Sequence, residues 1–141
     1  MRNKLRGMAV LGIATGIALT LGVGTAMASS THSIKYTGNN AKHSKSIATA
    51  TFNSKTNALT VKDTRKDGLA ISVQVIDVTN KKKWVYYKDC DNMKGAGKSV
   101  TCKYPKIKSG HKVFFTAYPL VKSPYNHWAA DGDPTDWYDH A

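Results

Sequence analysis

Apolar and polar positions alternate with a period of two along most of this chain. The clearest case is Leu69 to Ile76, where Ile71, Val73 and Val75 face one way and Ser72 and Gln74 the other. Ile76 and Val78 then break the alternation, which predicts a bulge or burial of both faces near that strand's end. Upstream, Ile47 to Phe52 is rich in β-branched residues, and Leu59 and Val61 share a face within Ala58 to Lys62. Further strands are expected at Trp84 to Tyr87, Ser99 to Tyr104 and Val113 to Tyr118. Turn residues separate them: Asn53 to Asn57, Asp63 to Gly68 with its terminal Asp-Gly pair, Thr79 to Lys83, and Ser109-Gly110. After Ala28 no segment sustains a 3.6-residue apolar period. Short strands spaced by turns predict an all-β chain, a small single-domain antiparallel β-sandwich or small barrel.

The ends of the chain read differently. Arg2, Lys4 and Arg6 precede an uncharged run from Met8 to Val23, and Ala26-Met27-Ala28 has the small-x-small pattern of a cleavage site. Residues 1–28 are therefore expected to be a signal peptide, cut after Ala28. A membrane anchor is the weaker reading, because Gly12, Gly16, Gly22 and Gly24 interrupt a run barely of spanning length. Residues 29–46 are a polar, partly disordered leading segment, residues 47–121 the β domain, and residues 122–141 an irregular, aromatic and acidic C-terminal arm. The mature chain is expected to be secreted, extracellular or wall-associated, with no membrane attachment.

Charge narrows the choice of partners. The leader holds three of the 21 basic residues and none of the nine acids, so the mature chain keeps eighteen against nine, or +9. Only Arg65 of those eighteen is arginine, and there is no Glu. Lysine is a hydrated point charge, whereas arginine supplies the planar fork suited to base edges and phosphates. Specific nucleic-acid recognition is not expected; diffuse attraction to a polyanion, or solubility alone, is. Four of the nine acids, Asp131, Asp133, Asp136 and Asp139, crowd the last 11 residues.

Cys90 and Cys102 are the two cysteines, and an even count in an exported chain reads as a disulfide. Their spacing suits neither a C-x-x-C redox pair nor a zinc site. Inside the loop they close, Lys94-Gly95-Ala96-Gly97-Lys98-Ser99 imitates a phosphate-binding P-loop, but Asn92 stands where the first glycine is needed. The glycines are expected to form a mobile turn.

The order of these signals resembles a known group. A small-residue strand ends in Phe52, followed by Leu59-x-Val61-x-Asp63, Asp67-Gly68, an alternating strand, and a late Gly110-x-x-Val113-x-Phe115. Over residues 46–118 this grammar is similar to that of the small exported β-sandwich proteins present in many copies in actinobacteria, mostly uncharacterised. The resemblance implies a fold and a compartment, and supplies no active site.

Candidate chemistry is sparse. His32 and His43 lie in the polar leading segment and His140 is penultimate, leaving His111 and His127 without a recognisable signature; no serine sits in G-x-S-x-G. Asp131-Gly132-Asp133-Pro134-Thr135-Asp136 resembles half a calcium loop but has Asp where an EF-hand needs its glycine. No cofactor, metal or catalytic residue is assigned. The C-terminal aromatics, Trp128, Trp137 and Tyr138 among them, suit either an arm pinned to a sheet or a sugar-stacking surface. The expected function is a non-enzymatic basic β domain that binds an anionic or glycan-bearing surface, such as a cell-wall polyanion or polysaccharide. Its candidate contacts are Lys81, Lys82, Lys83, Trp128, Trp137 and Tyr138. The alternative is a secreted inhibitor or toxin-like effector that presents Met93 and Lys94 of the Cys90–Cys102 loop to a protein partner. A small hydrolase ranks third.

Overall fold

The computed structural model describes residues 29–35, 46–123 and 128–141. The expected signal peptide lies outside the described residues, as do Lys42, His43, Tyr125 and His127. The described chain is all-β, in two antiparallel sheets with no helix. Sheet A has the order β1 (Ser29–Lys35), β2 (Ser46–Asn53), β3 (Ala58–Asp63) and β7 (Ser99–Lys103). Sheet B runs β10 (Thr135–His140), β8 (Lys112–Lys122), β4 (Ala70–Asp77) and β5 (Val85–Tyr86). Two short strands lie off that path: β6 (Cys90–Asn92) pairs with β4, and β9 (Trp128–Ala130) with β8.

The inner faces follow the period-two pattern. Ile34, Ala48, Ala50, Phe52, Leu59 and Val61 of sheet A meet Ile71, Val73, Val75, Val113, Phe115 and Ala117 of sheet B in one core. Phe52 and Phe115 touch across the sheets with ring centroids 5.0 Å apart. Residues 70–77 are buried on both faces apart from Gln74, which accounts for the broken alternation at Ile76.

The polar leading segment expected at 29–46 is corrected in its first part. Ser29–Lys35 forms an ordered edge strand in register with β2, Ser29 opposite Asn53 and Ile34 opposite Ala48. An edge strand of a sandwich buries one face only, and here that face holds Ile34 and the half-buried His32 and Ser30. The irregular arm at 122–141 is corrected too. Residues Thr135–His140 pair fully with β8, Trp137 opposite Phe115 and Tyr138 opposite Phe114. β1 and β10 therefore belong to the same pair of sheets as the strands between them.

Pro119 lies within β8 without breaking it. Its carbonyl accepts from the Asp131 N–H at 2.9 Å, so its missing donor faces the gap between β9 and β10.

Both open sides of the sandwich are closed. On one side β6 belongs to sheet B and β7 to sheet A, so the Cys90–Cys102 disulfide joins the sheets, with Cα atoms 5.8 Å apart. Asn92, wholly buried, donates through Nδ2 to Val61 O and Lys98 O, both at 2.9 Å. The turn expected to be mobile is tied down: Gly97 N–H donates to Asp63 O at 2.9 Å and Asp63 N–H to Lys98 O at 3.1 Å. Gly95 and Gly97 both take positive φ there, and Lys98-Ser99 leads into a strand rather than the helix a P-loop requires. On the opposite side β1 meets β10: Ser30 Oγ donates to Asp139 Oδ2, and Lys35 N–H to Thr135 Oγ1 at 3.3 Å.

Because the disulfide spans the two sheets, its removal should act on the whole fold. Cys90→Ala/Cys102→Ala is expected to lose about 3 kcal/mol by the loop-entropy relation for its separation of 12 residues. Urea denaturation of the variant against the oxidised parent measures this, and a loss under about 1 kcal/mol would contradict the stapling role.

Candidate functional site

The outer faces of the two sheets differ in chemistry. Sheet A presents a row of hydroxyls across all four strands, Thr31 opposite Thr51, Thr51 opposite Thr60, and Thr60 opposite Thr101. Their Oγ1 atoms bond in pairs, Thr31 to Thr51 at 2.9 Å and Thr60 to Thr101 at 2.8 Å. Sheet B presents rings. Tyr138, Phe114, Ile76 and Tyr86 lie directly opposite one another on successive strands, making one transverse row. Ile76 is buried between the rings that flank it, while Tyr138 and Tyr86 are 56% and 60% exposed.

The period of two explains how this row arises. Phe115 and Trp137 point inward, so their sequence neighbours Phe114 and Tyr138 must point outward. The outward pair meets at 4.8 Å between centroids. Lys112 Nζ sits 4.3 Å from the Tyr138 ring centroid, a cation–π contact that parks a positive charge beside the ring.

Trp84, 53% exposed, completes the wall of a groove of about 440 Å³. Val78, Thr79, Lys81, Lys112, Phe114, Tyr138 and His140 are among its other lining residues. Among the described residues no carboxylate lines it. Asp139, between Tyr138 and His140 in sequence, points to the other side of β10 and is engaged by Ser30.

A hydrogen-bond network holds the lysine turn against this groove. Asp77 is buried at the end of β4; its Oδ1 accepts from Thr79 N–H at 3.0 Å, and its Oδ2 lies 2.6 Å from His111 Nδ1. Thr79 Oγ1 accepts in turn from Lys112 N–H at 2.8 Å, and Val78 N–H donates to Lys112 O at 2.9 Å. Asn80 caps the turn itself, its Oδ1 accepting from Lys82 N–H and its carbonyl from Lys83 N–H, both at 3.0 Å. Burial by itself would raise the Asp77 pKa. The bonds from His111 and Thr79 outweigh it and hold the carboxyl below its ordinary 3.8.

Of the residues singled out in the sequence, Lys81 and Tyr138 come together in this groove. Lys82 and Lys83 are exposed on the adjoining turn. Trp137 is a correction: only 7% exposed, it stacks on Phe115 at 5.2 Å and on His32 at 5.0 Å, so it pins the arm and offers no surface. Trp128 does not join Tyr138. It lies opposite Lys122, eight positions along β8 from Phe114, or about 27 Å at the usual rise per residue, half-buried in a depression with Asp63, Leu69 and Met93. Trp84, Tyr86, Phe114, Lys112 and His140 were missed. The adjacent pairs Phe114-Phe115 and Trp137-Tyr138 were the available signal, since two neighbouring aromatics in a strand must face opposite ways.

A second cleft of about 380 Å³ beside the disulfide is lined by Lys88, Asp89, Asp91, Lys103 and Tyr104 among others. Burial, and then the neighbouring Asp91, raise the Asp89 pKa; burial and both carboxylates push the Tyr104 phenol up. Two lysines there offset two acids, and Tyr104 is buried edge-on against Tyr87. Among the described residues, no three His, Cys, Asp or Glu side chains gather as a metal site. Comparison with protein-family models, with curated protein sequences and with solved structures returned no match.

The Asp77 network predicts an acid limb of stability. Its folded pKa is depressed, so its contribution is complete above the unfolded value of 3.8 and is lost as pH falls through the lower folded value. Asp77→Asn should be less stable than the parent at pH 6, with the difference shrinking below about pH 4. Thermal unfolding across pH 2.5–7 (values of order set by the carboxylate range) checks this, and a pH-independent difference would contradict it.

Proposed function

We propose that this domain is a non-enzymatic binding module that attaches to polysaccharide on a surface outside the cell, through the groove on the outer face of sheet B. One observation carries the reading. Trp84 and Tyr138, both more than half exposed, line one groove with Lys81 and Lys112. The similarly exposed Tyr86 lies two strands from Phe114 in the same transverse row, while the outer face of sheet A carries threonines. Large exposed apolar side chains grouped on one face of a soluble domain mark a binding surface. Flat rings offer area for sugar rings to stack, and the tyrosine hydroxyl and tryptophan N–H add hydrogen bonds at their rims.

An extracellular compartment is the reading that two features support. The sandwich is closed by a disulfide, a bond that persists in oxidising surroundings. With the basic leader and its small-x-small end, this bond supports export of a chain that begins at Ser29.

A protein partner for the disulfide loop is the second reading. Met93 is 47% exposed beside the exposed Lys94, on a turn held by Asn92. The groove is favoured because it combines several rings and cations from β8, β10 and the turn after β4, whereas the loop exposes one large apolar side chain.

Residues 29–141 should be retained on whole cells and purified wall polysaccharide, less so at high salt as the lysines are screened. Trp84→Ala and Tyr138→Ala should each weaken retention roughly 2- to 12-fold, at about 0.5–1.5 kcal/mol per ring. Trp137→Ala should instead cost about 3–5 kcal/mol of stability, as a core deletion. Retention unchanged in the folded Trp84→Ala/Tyr138→Ala double variant and lost in Met93→Ala/Lys94→Ala would move the site to the disulfide loop.

A further inference from the structure

The two flanks of the aromatic row differ in charge, and that asymmetry limits what can lie along it. The row Tyr138, Phe114, Ile76, Tyr86 crosses four strands, about 15 Å at the ordinary strand spacing, and so is shaped for an extended chain lying across the strands. One step along the strands in one direction, about 7 Å away, His140 stands opposite Lys112, and the Lys81, Lys82, Lys83 turn lies beyond them. One step in the other direction stand the exposed acid Asp136 and the half-buried amide Gln74, with Thr116 buried between them. Cations therefore border one side of the ring track, and an amide and a single carboxylate border the other.

Resting on the groove as the binding site, we infer that its ligand is an acidic polysaccharide whose sugar rings follow the aromatic row and whose carboxylates turn toward Lys112 and Lys81. Three features carry this. The ring track needs a polymer with a ring in each unit, which a ringless phosphodiester chain lacks. The cations are lysines, point charges on flexible stems that suit carboxylates repeated along a chain better than one fixed bidentate contact. Lys112 is held 4.3 Å from the Tyr138 centroid, so charge and stacking surface act on the same sugar unit. The hydroxyls on the chain's far edge meet the half-buried Gln74, and the exposed Asp136 repels an acid presented the wrong way round.

The test compares three polymers on the mature chain 29–141 by tryptophan fluorescence titration and affinity electrophoresis at low salt: polygalacturonate, the same polymer with its carboxyls reduced to alcohols, and polyphosphate. The expected result is binding to polygalacturonate at least tenfold tighter than to the reduced polymer. Lys112→Ala and Lys81→Ala should erase most of that advantage while leaving weak binding to the reduced polymer. Tyr138→Phe, which keeps the ring and loses only the hydroxyl, should weaken binding less than Tyr138→Ala, which should weaken both sugar polymers. Equal binding of the two sugar polymers, still sensitive to Tyr138→Ala, would overturn the acidic class and leave the groove in place. Polyphosphate binding as tight as polygalacturonate and indifferent to Tyr138→Ala would overturn the inference in favour of diffuse charge attraction. If no polymer binds and wall retention is indifferent to Trp84→Ala, the groove itself fails. Each variant's thermal unfolding midpoint is measured alongside, so that lost binding is scored only in folded protein.

Discussion

Trp137 lies between Phe115 and His32, and that stack governs much of the architecture. Through Phe115 it reaches Phe52 on the opposing sheet, so rings from β10, β8, β2 and β1 form one continuous contact through the core. The stack fixes the rotation of β10 about its own axis. With Trp137 inward, Tyr138 has to face solvent beside Phe114, and Asp139 has to face inward to meet Ser30. Groove wall and sandwich edge are thus two results of one buried ring.

The opposite edge solves the same geometric problem by covalent means. A hairpin that leaves one sheet and enters the other must turn a corner, and its backbone groups there would be left without ladder partners. Asn92 fills that gap with two bonds from a single amide, and the disulfide closes the corner beyond it. The ordered lysine turn on β4's far end is a third device of the same type, with Asp77 serving His111 and Thr79 at once. Asn92 and Asp77 are thus short polar side chains that each make two bonds where the chain changes direction.

How much of this could be read from the residues depended on whether the signal was local. The strand around Ile71, Val73 and Val75, the turns at Asn57 and Gly68, and the disulfide were legible because alternation, positive φ and cysteine parity are written within a few residues. The edge strands were not. Ser29–Lys35 has a single fully buried side chain, Ile34, and in Thr135–His140 the inward alternation of Thr135, Trp137 and Asp139 has only one apolar member. Of the groove, Lys81 and Tyr138 were visible as types. Their meeting with Trp84, Phe114 and Lys112 was hidden, because it depends on register between strands far apart in sequence. Trp137 and Tyr138 are indistinguishable by composition; only the side of the strand separates a core residue from a contact.

The bond between Ser30 and Asp139 joins residues 109 positions apart. It makes the sandwich a ring in connectivity, with the first described strand and the last lying side by side. A chain that emerges from its N-terminus therefore holds an unmatched β1 edge until its final residues arrive, and pairings of such long sequence separation form slowly. The same adjacency means that a short linker could join the two ends and new ends be opened at a surface turn, giving a rearranged chain with the same neighbours throughout.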